Sequence, residues 1–227
     1  MEAAQTPVDD STVEPLHTTQ RLFVAEWAAA RAAWETTDPA LHAATPLEPV
    51  ERLMAAMPSP FAALANSIMH QQVSTAAGRA IARRFVATCG GAWDPHAVVS
   101  LSDEELRAAG LSGSKVRYMR ALAEAAVGGG LDGLEREPDA DIIARLVPLP
   151  GIGVWTVKMF MLFHLRRPDI FSGDDLGLRE GLRVLDQLPA QPTSKAAEAR
   201  AEVWSPYRSV ASLALWDLLR RSRLGLT

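Results

Sequence analysis

No segment of this chain alternates apolar and polar residues with period two for more than a few positions. Apolar residues recur instead at helical spacing along almost its whole length. A chain without strand-like segments must bury its apolar stripes helix against helix, so the expected fold is all-α. The spacing marks helices over Arg21–Trp34, Leu47–Met57, Phe61–Met69, Ser74–Ala87, Gly113–Val127 and Val154–Leu165. Ser102 and Glu105 form a capping-box pair, which predicts a short helix to Ala109. Asp139 or Asp141 is expected to cap a helix to Val147. Asp174 or Asp175 is expected to cap one to about Leu185, with Asp174 the favoured cap of the two. Ser205 is expected to cap the last helix, with Pro206 at its first position, where a missing N–H costs nothing. Residues 1–16 read as a disordered or extended tail, and residues 187–194 as a loop.

The 227 residues suffice for one large domain or two small ones, and 48% hydrophobic content supplies a core. No apolar run reaches the roughly 18 residues of a membrane span. The first residues lack the basic and apolar regions of a signal peptide, so a cytoplasmic location is expected. The single Cys89 excludes an internal disulfide and any cysteine-based metal or iron–sulfur site. The histidines, at 17, 42, 70, 96 and 164, form no i,i+4 pair, so no metal site is expected. The net charge of −4 argues weakly against a nucleic-acid partner, but it is unevenly spread. Residues 1–60 hold 3 basic and 9 acidic groups, and residues 61–227 hold 20 and 18. Basic clusters stand at Lys115/Arg117/Arg120 and Arg220/Arg221/Arg223. Phosphate binding depends on the local field, so such patches matter more than the total.

One stretch, Leu149 to Thr156 (L-P-G-I-G-V-W-T), joins two apolar helical segments by a tight turn. Glycines at 151 and 153 permit positive φ and the close approach of another backbone. They also direct the N–H groups of residues 151–154 and the next helix start toward one point, which suits an anion such as a phosphodiester. Spacing alone leaves a plain connection between core helices equally open.

The octapeptide resembles the helix–hairpin–helix motif of the DNA glycosylase superfamily that pairs a Gly/Pro-rich hairpin with a downstream aspartate. Three further stretches, in the right order, strengthen the likeness. D-I-F-S-G-D-D-L-G-L-R-E-G places Asp175 20 residues after Trp155, a spacing similar to the alkylbase branch. S-I-M-H-Q-Q-V-S-T-A-A is similar to the family's duplex-penetrating segment. W-S-P-Y-R-S-V-A-S-L-A-L-W resembles the closing segment of alkylbase glycosylases. Together they cover about residues 61–222. The chain looks most like the compact, all-helical alkyladenine glycosylases. It has no four-cysteine cluster like that of the endonuclease III branch, and only about 60 acidic, partly helical residues precede the matched region, where the larger bacterial enzymes carry a β-rich domain.

The resemblance implies two helical subdomains with the active-site cleft between them. Residues 17–60 and 175–227 would form one, and residues 61–174 the other, containing the helix–hairpin–helix at 139–165. It implies double-stranded DNA with damaged bases as partner, a monomeric state, a nucleoid-associated location and no cofactor beyond a monovalent cation that can sit at the hairpin. Asp175 is the implied catalytic residue. Trp155, Met159, Trp204 and Tyr207 are the implied walls of the base pocket. Gln72, supported by Gln71, is the implied plug for the vacated base stack. Gly151, Gly153, Thr156, Lys115 and Arg117 are the implied phosphate contacts. Bifunctional members carry a lysine where this chain has Trp155, and an indole cannot form a Schiff base, so hydrolysis without strand cleavage is expected. Lys158 nearby reads as a solvated helix residue, and so do Arg220–Arg223. A passive helix–hairpin–helix DNA clamp, and a glycosylase for another damaged base, are the alternatives. A clamp would need neither Asp175 nor the tryptophans.

Overall fold

Short polar side chains fix where most helices begin. In this computed structural model, which describes residues 14–50 and 57–226 with side chains from residue 24 onward, no strand occurs among the described residues. The helices are α1 (Glu14–Thr37), α2 (Pro39–Ala44), α3 (Pro60–His70), α4 (Thr75–Thr88), α5 (Pro95–Ser100) and α6 (Asp103–Ala108). They continue with α7 (Gly113–Val127), α8 (Asp139–Leu146), α9 (Val154–Phe163), α10 (Leu176–Leu185), α11 (Ser194–Ala201) and α12 (Arg208–Arg223). Asp38, Ser59, Ser74, Asp94, Ser102, Ser112, Asp175 and Thr193 each accept a main-chain N–H from the first turn of the helix they precede. The Ser102/Glu105 capping box is present in full.

Several expectations change. Of the expected tail, residues 1–13 lie outside the described residues, and Glu14 to Leu16 are helical. Of the helix expected over 47–57, residues 47–50 are not helical and 51–56 lie outside the described residues. Pro138, not an aspartate, precedes α8, and Asp139 and Asp141 lie in its first turn, where their charge complements the helix dipole. Asp175, not Asp174, caps α10. Ser205 and Pro206 lie in a turn, and α12 starts only after Tyr207. The short helices α2, α5 and α11 carry too few turns for periodicity to reveal them.

The chain divides into two units that change over between Ser172 and Gly173. One holds α3–α9. There α3 is apolar almost all round and buries Phe61, Leu64, Ile68 and Met69, as a central helix must. The other unit holds α1, α2 and α10–α12. Its core includes Trp27, Trp34, Leu41 and Trp204, all essentially inaccessible. Gly181 lets α10 lie close to α12, since a Cβ there would stand 2.7 Å from the Leu215 carbonyl oxygen. Arg220 and Arg221 bond the buried Asp217 at 2.7 and 2.8 Å, so the expected solvated terminal face is partly structural.

Asp38 is the polar centre of this second unit. Its carboxylate accepts the Leu41 N–H at 3.1 Å, the Trp204 indole N–H at 2.7 Å and an Arg200 guanidinium N–H at 2.6 Å. Burial pushes its pKa up, but the bonds from Trp204, Leu41 and Arg200 outweigh that and hold it below the usual carboxylate range. A depressed folded pKa gives stability that is complete above the unfolded value of about 4 and is lost as pH falls through the folded value. Thermal melts should therefore lose stability below about pH 4, and Asp38→Asn should flatten that acid limb. At neutral pH Asp38→Ala should cost about 1–3 kcal/mol, because it leaves the buried Trp204 indole N–H without its acceptor, while Arg200 keeps Asp186. An unchanged acid limb in Asp38→Asn would assign the acid sensitivity elsewhere.

Candidate nucleic-acid interface and catalytic carboxylate

The hairpin between α8 and α9 is built by its own sequence. Leu149–Pro150–Gly151–Ile152 forms a turn closed by the Ile152 N–H on the Leu149 carbonyl at 3.1 Å. Proline at the second position and a glycine with φ of +81° at the third are the requirements of a type II turn. Gly151 is doubly constrained, because a Cβ there would stand 2.3 Å from Cδ2 of Tyr118. Ile152 is buried and anchors the turn. Gly153 then opens α9, whose first internal bond is Val157 N–H to Gly153 carbonyl at 3.1 Å. Unlike most helices here, α9 has no side-chain cap on its first N–H groups. The first turn of a helix carries partial positive charge.

Gly153 itself is not required by the fold. Its φ is −95°, and a Cβ there would meet nothing within 4 Å. Its lack of a side chain keeps the approach to the α9 N-terminus open.

The turn between α3 and α4 lies in the same unit. Gln71 gives its side-chain N–H to the Gly151 carbonyl at 2.8 Å, tying this turn to the hairpin. Gln72 is exposed and has a φ of +58°, a left-handed conformation that costs a non-glycine residue about 1–2 kcal/mol. Glycine is the usual occupant at such a helix end. Gln72→Gly should therefore raise stability by about 1 kcal/mol, read as a higher denaturation midpoint. A lower midpoint would mean that the Gln72 side chain stabilises the fold.

Asp175 caps α10 in the other unit. Its Oδ1 accepts the Leu178 N–H at 2.7 Å and the Trp216 indole N–H at 3.1 Å. Gly177 makes room for this pair, since a Cβ there would lie 2.9 Å from the indole nitrogen and 3.1 Å from Oδ1. The carboxylate is half-buried and held from two directions. Asp174 is exposed and accepts the Ser194 hydroxyl at 2.7 Å.

Residues 65–206 match the model of the HhH-GPD superfamily of base excision DNA repair proteins. The chain belongs to this superfamily. DNA-3-methyladenine glycosylase 1 of Schizosaccharomyces pombe is 33% identical over 162 residues, covering 69% of this chain and 71% of that protein. The solved structure of S. pombe 3-methyladenine DNA glycosylase (Mag1) in complex with abasic DNA matches with a TM-score of 0.74 at 29% identity. That match covers 83% of this chain and 95% of the other. A DNA-3-methyladenine glycosidase structure from Bacillus halodurans matches with a TM-score of 0.69 at 36% identity, covering 75% and 80%.

Within the HhH-GPD fold, two expected site residues are committed elsewhere. Trp204 is fully buried, its indole N–H is on Asp38, and the Arg200 guanidinium lies 4.9 Å from its ring centroid. It is a core residue with no exposed face to offer a base. Lys115 is only 8% exposed, and its Nζ donates to the Met69 and Gln71 carbonyls at 2.8 and 2.9 Å. It holds protein carbonyls rather than facing solvent as a phosphate contact would. Arg120 of the same cluster is engaged with Asp103 and the Leu101 carbonyl, whereas Arg117 is exposed. Thr156 is buried, so its side chain is no phosphate contact and only its main chain stands at the open helix end.

Trp155 is 40% exposed, Met159 one turn later is buried, and Tyr207 is half-exposed. Lys158 is half-buried rather than solvated. Sequence reasoning missed Trp216 and Tyr118. Trp216 ends the closing stretch, 41 residues from the carboxylate it touches, and nothing local links the two. The hairpin carbonyls of Leu146, Leu149 and Gly151 each accept a hydrogen bond from the protein, so a cation at the hairpin would have to share them. Among the described residues no group of three or more His, Cys, Asp or Glu side chains is gathered for a metal ion, and no helix is long and apolar enough to cross a membrane.

Proposed function

We propose that this protein is a monofunctional DNA glycosylase that hydrolyses the N-glycosidic bond of alkylated bases of the 3-methyladenine and 7-methylguanine type, acting as a monomer on double-stranded DNA. The observation that carries the reading is the likeness to S. pombe Mag1 over 95% of that chain, joined to a carboxylate held by a helix cap and an indole. The glycosidic bond is inaccessible inside a duplex, so the nucleotide must leave the stack. Gln72, presented on its left-handed turn, fills the gap. Gly151, Gly153 and the α9 N-terminus hold a backbone phosphate through main-chain N–H groups, and Arg117 adds long-range charge.

Bond cleavage builds positive charge on the deoxyribose. Asp175 stabilises that charge and orients or deprotonates the attacking water. A base alkylated at N3 or N7 already bears a positive charge, so no second carboxyl group is required to protonate it. The same charge is attracted to the exposed face of Trp155 by about 0.5–2 kcal/mol. Bases released from methylated genomic DNA, resolved by chromatography, test the reading. Release of 3-methyladenine and 7-methylguanine is expected, and DNA binding with no released base would favour a passive clamp. Gln72→Gly should slow excision from paired duplex while leaving the fold intact.

A further inference from the structure

We propose that Lys115 is a positioning residue for base extrusion, locking the turn that carries Gln72 onto the DNA-binding hairpin. The inference rests on the glycosylase reading and deepens it.

The turn is held from two sides. Helix α3 ends at His70, and the carbonyls of Met69 and Gln71 converge on the Lys115 ammonium at 2.8 and 2.9 Å. A helix C-terminus carries partial negative charge, so a buried cation there is compensated. The Gln71 side chain then reaches the Gly151 carbonyl at 2.8 Å. Tyr118, nearly one turn along α7 from Lys115, has its ring against Gly151. One face of α7 thus supports both the Gln72 turn and the hairpin. Burial lowers the Lys115 pKa, which marks the desolvation that this arrangement costs.

Glycine at position 72 would end the helix without strain and without a buried ammonium. The chain instead holds an exposed glutamine in a left-handed conformation and fixes the carbonyl before it from beneath. A side chain pushed into a base stack must not retreat, and this bracing resists the turn unwinding under that load. The role is separate from catalysis and from phosphate binding, because the ammonium faces protein carbonyls only.

The test is single-turnover excision of 7-methylguanine from two duplexes. In one the lesion is paired with cytosine. In the other it faces an abasic site, where extrusion is easier. Lys115→Met should slow excision about tenfold or more from the paired duplex and less than about threefold from the other. It should add little to the defect of Gln72→Ala in the double variant. Lys115→Arg, which keeps the charge and donors, should recover part of the paired-duplex rate. If Lys115→Met does not fold, Gln71→Met, which removes only the link to Gly151, should show the same dependence on pairing. Equal slowing on both duplexes, or a defect additive with Gln72→Ala, would overturn the proposal and leave Lys115 a stability residue. A wild-type protein inert on both duplexes would instead overturn the glycosylase reading, and this proposal with it.

Discussion

Asp175→Asn is expected to keep its fold and its affinity for abasic duplex while losing about three orders of magnitude or more in single-turnover base release. Asparagine presents the same Oδ1 acceptor to the Leu178 N–H and the Trp216 indole, so the cap and its positioning survive. What disappears is the negative charge that the proposed mechanism sets opposite a sugar cation formed only on the way to the transition state. Such a loss falls on the rate rather than on binding, at about 1.4 kcal/mol per factor of ten. Asp174→Asn removes a charge from an exposed residue bonded only to Ser194 among the contacts named above, and should change the rate less than about threefold. Retained activity in Asp175→Asn, or equal losses in both variants, would remove Asp175 from the chemistry.

The second large effect divides two glycines that look alike in sequence. Gly151→Ala must adopt a left-handed φ with a methyl group 2.3 Å from the Tyr118 ring. It should destabilise the fold by about 2 kcal/mol or more and disorder the hairpin. Gly153→Ala meets no atom within 4 Å and has an ordinary φ of −95°, so its melting point should stay close to wild type. Its affinity for abasic duplex at fixed salt should nevertheless fall about tenfold, because the methyl group would stand where the proposed phosphate contact meets the α9 N–H groups. Undiminished affinity in a well-folded Gly153→Ala would mean that these N–H groups do not hold the DNA backbone.

These contrasts mark where the sequence was legible. The helical repeat, the capping box and the Pro–Gly turn are local devices, so α3, α4, α6, α7 and α9 could be read with their boundaries nearly right. Asp175 and the hairpin glycines stood out because their residue types sit at spacings that the resemblance makes specific. What stayed hidden depends on distant partners. Lys115 sits among basic residues in sequence, yet its ammonium bonds the Met69 and Gln71 carbonyls, more than 40 positions earlier. Trp204 reads in sequence as a base-stacking residue, yet its indole N–H is held by Asp38, 166 positions away. Trp216 reaches Asp175 across a similar kind of gap. A buried polar group finds its partner through the fold, and no periodicity announces it. The caps of α8 and α12 were misplaced for a smaller reason. Proline has no side-chain acceptor and Tyr207 makes no side-chain bond to the first turn, so neither helix start carries the short polar residue that marks the other caps.

The central claim is hydrolysis of an alkylated base by a carboxylate without attack on the sugar by an amine. It is tested most directly with a duplex bearing one 7-methylguanine and an end label. Base release and strand scission would be followed in the same sample, before and after hot alkali. The expected result is free 7-methylguanine with an intact strand, scission only after alkali, and no protein–DNA adduct on borohydride treatment. Scission without alkali, together with a borohydride-trapped adduct, would contradict it.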